Sequence, residues 1–115
     1  MERTILNRKI TIILLKKDFL HQHLMYVVND TILINPLENN ILLNSDFKCN
    51  LLDKLRNKSM LGYKMVATKT IYQNTEKHYN FMGLHFYNCI SIGKILLNMK
   101  GIYFSCSQFF NKIKE

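Results

Sequence analysis

The chain has 115 residues and a net charge of +8, which is one domain's length and no more. Hydrophobic residues make up 48% and charged residues 21%, enough for one compact core and too balanced for a disordered tail or a membrane-embedded chain. The expectation is a single domain over residues 1–115, without linker, repeat or low-complexity tract.

Ile10 to Leu15 is a continuous aliphatic run bounded by charge and predicts a buried strand. Leu24 to Val28 and Thr31 to Ile34 flank Asn29 and Asp30. Asn and Asp tolerate left-handed backbone, so a hairpin with a two-residue turn is expected there. Asn35 and Pro36 close it, and Ile41 to Leu43 forms a further short apolar run. Asn44 or Ser45 can cap a helix over 46–57, with Phe47, Leu51, Leu52 and Leu55 as its apolar stripe. Residues 63–73 and 78–87 are rich in aromatic and β-branched types around a polar turn at 74–77, which predicts a second hairpin.

Ile92, Ile95, Leu96 and Met99 fall at i, i+3, i+4 and i+7 and predict a helix capped by Asn88 or Ser91 and stopped at Gly101, with Gly93 a weak point inside it. Ile102 to Phe104 predicts a last short strand. Cys106, Phe109, Phe110 and Ile113 repeat the helical spacing behind a Ser105 cap. Hairpins dominate over crossovers, so the expected class is α+β, an antiparallel sheet with about three helices packed on it.

Amino-acid usage is skewed. Lys outnumbers Arg 13 to 3, Asn and Ile each occur 13 times, and Ala67 is the only alanine. These preferences follow AT-rich codons, so the coding genome is expected to be AT-rich, and codon bias supplies a second source for the many lysines. The pI near 9.5 favours polyanionic partners.

Cys49, Cys89 and Cys106 are odd in number and form no CxxC pair, which points away from a disulfide framework and toward thiols in a cytoplasmic or other reducing intracellular compartment. The 10–15 run is too short for a signal-peptide core, and the longest stretch free of charged residues, 78–93, is short of a membrane span. No membrane partner is expected.

His21 and His23 would share one face of a strand, a chelating geometry that lacks recognisable third and fourth ligands, so no metal is expected. The glycines 62, 83, 93 and 101 are isolated, so phosphate cradles are absent and no cofactor or small-molecule substrate is implied. No catalytic motif places a base beside any cysteine or serine. A ribonuclease built from two of His21, His23, His78 and His85 is the one enzymatic reading that the composition admits.

The most informative surface signal is Lys54, Arg56, Lys58, Lys64 and Lys69, interleaved with or followed by Tyr63, Tyr72, Tyr79, Phe81, Phe86 and Tyr87. Lysines would hold phosphates and aromatics would stack on bases. Lys16 and Lys17 are expected to lie away from this patch. The leading expectation is a non-enzymatic basic subunit or factor of an RNA–protein assembly, foremost ribosome-associated, with rRNA or another structured RNA and neighbouring proteins as partners. The alternative is a small viral or parasite module that binds a host or partner protein, and the third is the small ribonuclease.

Overall fold

The computed structural model describes residues 6–35, 40–43, 62–75 and 88–115. The predicted helix over 46–57, the strand over 78–87 and Cys49 lie outside the described residues, as do Lys54, Arg56 and Lys58.

Among the described residues, five strands form one antiparallel sheet: β1 (Leu6–Lys16), β2 (Gln22–Val28), β3 (Ile32–Asn35), β4 (Asn40–Leu43) and β5 (Lys64–Thr75). Their order is β4-β3-β2-β1-β5. Two helices follow, α1 (Cys89–Leu97) and α2 (Cys106–Lys112). The chain is therefore a small α+β domain on an antiparallel sheet. Among the described residues there are two helices, none long and apolar enough to cross a membrane.

The predicted hairpin forms between β2 and β3. Asn29 and Asp30 both take left-handed backbone (φ 53° and 57°), as a primed turn demands. The Asn29 side chain accepts from Lys9 N–H at 2.8 Å, and the Lys9 ammonium pairs with Asp30 at 3.0 Å, so the turn is anchored to β1. The register is not that of a plain two-residue hairpin. Val28 pairs with Ile32 rather than Thr31, so Thr31 is an extra residue, and every β3 side chain is moved to the opposite face.

Alternation along the strands divides the core in two. Ile10, Ile12, Leu14, Leu24, Tyr26, Val28 and Ile34 pack with Ile92, Leu96, Phe109 and Phe110 of the helices. Ile13, Leu15, Met25, Val27 and Leu33 cluster separately with Tyr63 and Met65. β5 runs along β1 with one irregularity, where Leu14 pairs with Ala67 and Leu15 with Met65, leaving Val66 as the bulged residue.

Both helices begin as the sequence predicts. Asn88 caps α1 by accepting from Ser91 N–H at 2.8 Å, and Ser105 caps α2 by accepting from Gln108 N–H at 3.0 Å. Gln108 in turn accepts from Phe104 N–H at 2.7 Å, so the Ser-x-x-Gln spacing works nearly as a capping box. Two expectations are corrected. Helix α1 stops at Asn98, which takes the left-handed cap conformation (φ 52°) ahead of Gly101. Ile102 to Phe104 is a loop, because its backbone turns to serve the α2 cap and Tyr103 Oη donates to Lys100 O at 2.8 Å.

Candidate functional site

The first residue of α1 is Cys89 and the first residue of α2 is Cys106. Each helix start is fixed from outside. Tyr26, buried on β2, donates its hydroxyl to Cys89 O at 2.6 Å. Gln22 Oε1 on the same strand accepts from Ser107 N and Ser107 Oγ at 2.8 and 2.9 Å. With both starts tied to β2, the two sulfurs are brought to 3.7 Å as free thiols.

His23 lies on the same strand, next to Gln22, on the face that Met25 and Val27 take. Its ring is buried, Nε2 lies 2.9 Å from Asn35 Oδ1 on β3, and Tyr63 meets it edge-on at 6.1 Å between centroids. The Cys89 thiol is held down to about 5, first by the hydrogen bond that Cys106 supplies, then by the hydrogen bond and charge of His23 and by the Leu24 main chain, against the opposing effect of burial. The Cys106 thiol is pushed well up because it keeps its proton in that same hydrogen bond and is itself buried. The two thiols are therefore unequal, that of Cys89 lowered and that of Cys106 raised by the hydrogen bond they share, and the nearby imidazole is held by a carboxamide.

A cleft of about 470 Å³ opens beside it, lined by Phe19, Leu20, Ile90, Phe104 and Cys106, with Lys16 at its border. Phe19 and Phe104 are each 88% exposed. Phe19 and Leu20 are carried by the β1–β2 turn, where Asp18 Oδ1 accepts from the N–H groups of Leu20 and His21 at 2.9 and 2.8 Å.

The sequence did not bring these groups together. His21 was expected beside His23, yet His21 sits in the turn with its Nδ1 2.8 Å from Asp18, ahead of β2. No group of three His, Cys, Asp or Glu among the described residues is arranged to hold a metal. The signal for His23 and Asn35 lay in the hairpin itself, but it required the extra residue Thr31.

Of the predicted basic patch, Lys64 and Lys69 are among the described residues. Lys69 is engaged within the fold, donating to Phe110 O and Ile113 O at 2.8 and 3.0 Å and lying 4.7 Å from the Phe110 ring centroid. It thus closes the C-terminal end of α2. Lys64 is exposed and faces Lys16 across the β1–β5 pairing. Lys17 packs its side chain against Gly62. Lys16 and Lys17, expected away from the patch, instead share this end of the sheet with Lys64. Tyr72 is exposed and Tyr63 half-buried.

Comparison with protein-family models, with curated proteins and with solved structures returns no match.

Proposed function

We propose that the protein is a cysteine-nucleophile acyl hydrolase or acyltransferase, with Cys89 as nucleophile, His23 as general acid–base and Asn35 as the group that orients His23. What supports this reading is a buried imidazole held by a carboxamide at 2.9 Å on the strand that also fixes the start of the Cys89 helix, with the Cys89 thiol lowered first by Cys106 and then by His23. That order of roles, thiol to imidazole to carboxamide, is the Cys-His-Asn variant of the nucleophilic triad. Cys89 attacks the carbonyl carbon of an ester or amide, and the collapsing adduct expels an alcohol or amine that takes its proton from His23. Water, deprotonated by His23, then releases the acid and restores the thiolate. The neighbouring cleft supplies an apolar seat for the acyl group.

Activated aryl esters test this directly. A burst of phenol equal to the enzyme concentration, with the acyl group mapped to Cys89, is expected. Cys89→Ala should abolish the burst, and His23→Ala should slow turnover about 10²–10⁴-fold. Asn35→Ala should be milder than either. A chain whose Cys89 is never acylated by such esters sinks the reading.

The expectation of an RNA-binding factor is retained as a second reading, now on the observation that Lys16 and Lys64 are cross-strand partners beside Lys17 and the exposed Phe19 ring. If about three lysines neutralise phosphates of a single strand, log K should fall with log salt at a slope of about −2. Glutamate at Lys16 and Lys64 should flatten that slope, and glutamate at Lys112 and Lys114 should leave it unchanged. Equal effects from both pairs would mean a diffuse cation without a site.

A further inference from the structure

We infer that Cys89 and Cys106 are a reversible dithiol–disulfide pair, a modification site that exchanges with low-molecular-weight disulfides and closes the Cys89 sulfur when oxidised. The inference stands on the sulfur geometry and does not require the acyl chemistry, and the inequality of the two thiols bears only on which sulfur attacks first. Two thiols 3.7 Å apart need approach by only about 1.7 Å to reach bonding distance. Both sit at the first position of a capped helix tied to β2, so their proximity is imposed by the fold rather than by chance rotamers. The two sulfurs are also chemically unequal, which sets the order of events. Cys89 is the less buried of the two and its thiol is lowered by Cys106, while Cys106 lines the cleft.

With oxidised glutathione as oxidant the step balances. The Cys89 thiolate attacks one glutathione sulfur, the glutathione S–S bond breaks, and one glutathione thiolate leaves with the bonding pair. Cys89 is now neutral, so the hydrogen bond and charge that kept the proton on Cys106 are gone. Cys106 gives that proton to the departed thiolate and attacks the Cys89 sulfur, and the second glutathione leaves as thiolate. Two protein thiols are oxidised and one glutathione disulfide is reduced to two thiols. The mixed disulfide is short-lived because its resolving thiol is already in place.

The test uses the full chain in glutathione redox buffers, quenched with acid, capped with N-ethylmaleimide and mapped by mass spectrometry. The expected product is a Cys89–Cys106 bridge that dithiothreitol reverses, with iodoacetamide labelling of Cys89 reduced at least about tenfold in the oxidised form. Cys106→Ser should instead accumulate a stable Cys89–glutathione adduct. Cys106→Ala serves if circular dichroism shows that the serine variant is unfolded. The inference is overturned by a bridge that uses Cys49, by a glutathione adduct that persists in the native sequence, or by Cys89 that stays fully alkylatable at high oxidised glutathione. Because the readout is thiol state, loss of ester turnover in the aryl-ester assay leaves it untouched, and the converse also holds.

Discussion

Phe109→Ala is expected to destabilise the fold by about 3–5 kcal/mol, and Gly93→Ala by about 1–3 kcal/mol. Phe109 is fully buried and meets Tyr103 edge-on at 5.0 Å between centroids, so its removal opens a cavity between α2 and the sheet. Gly93 is the complementary case. A Cβ there would lie 2.6 Å from Phe109 Cε1 and would also run into the Tyr26 hydroxyl. Helix propensity favours alanine over glycine by about 1 kcal/mol, so a loss of stability on this substitution isolates the steric cost. The two substitutions should also be coupled. Phe109→Ala removes one of the two obstacles to the new methyl group, so the double variant should lose less than the sum by at least about 0.5 kcal/mol. Urea midpoints at unchanged slope measure all three quantities. Strict additivity would mean that the Tyr26 hydroxyl takes the whole clash, and Tyr26→Phe would then relieve Gly93→Ala instead. That outcome matters for the site, because the same hydroxyl fixes the Cys89 carbonyl.

The local elements were legible where a single residue type has one physical use. Asn29 and Asp30 announced left-handed backbone, Asn88 and Ser105 announced helix starts, and the spacing of Cys106, Phe109 and Phe110 announced the buried face of α2. Misreadings arose where tertiary demands act. Gly93 reads as a helix defect, yet it is the position where α1 comes closest to Tyr26 and Phe109. Gly101 reads as a helix stop, but Asn98 reaches the cap conformation first. Lys69 reads as a phosphate contact by its neighbours in sequence, and what spacing could not show is that the pairing of β5 with β1 carries it to the end of α2, where it donates to two carbonyls.

The thiol site was hidden for two separate reasons. One is distance along the chain, since Tyr26 and Cys89 are 63 residues apart and Cys89 and Cys106 are 17 apart. No spacing rule reaches that far. The other is register. A plain two-residue hairpin would pair Val28 with Thr31 and place Asn35 on the face of Leu24 and Tyr26. The extra residue Thr31 pairs Val28 with Ile32 and Val27 with Leu33, which puts Asn35 on the face of Val27, Met25 and His23. One residue of slip therefore decides whether the imidazole has an orienting partner at all. Deleting Thr31 is accordingly a sharper perturbation of the site than many substitutions within it.

The ionised state of Cys89 should be visible in its alkylation by iodoacetamide, with a rate that falls through a midpoint near pH 5. An ordinary cysteine titrates near about 8.5, so at pH 6 the thiolate fraction of Cys89 exceeds that of an unfolded cysteine by about 300-fold. A less basic thiolate is also a weaker nucleophile, and over this span that costs about 40-fold. The net advantage is therefore about fivefold to tenfold, and the midpoint is the better readout because burial slows the rate without moving it. Cys106→Ala, which removes the donor, should raise the midpoint, since Cys106 is the leading cause of the shift, and His23→Ala should raise it as well. The same inequality makes stability depend on pH with a definite sign. Between about pH 5 and 8.5 the unfolded chain keeps the proton that native Cys89 has released, so the pair's contribution to stability rises with pH. Above about 8.5 the unfolded chain loses the proton that native Cys106 retains, and the contribution falls again. The difference in unfolding free energy between the native sequence and Cys89→Ser/Cys106→Ser should thus peak near pH 8.5 and decline on both sides. A difference that is flat from pH 5 to 10 would mean two ordinary thiols, and would remove the ionised nucleophile on which the acyl chemistry depends.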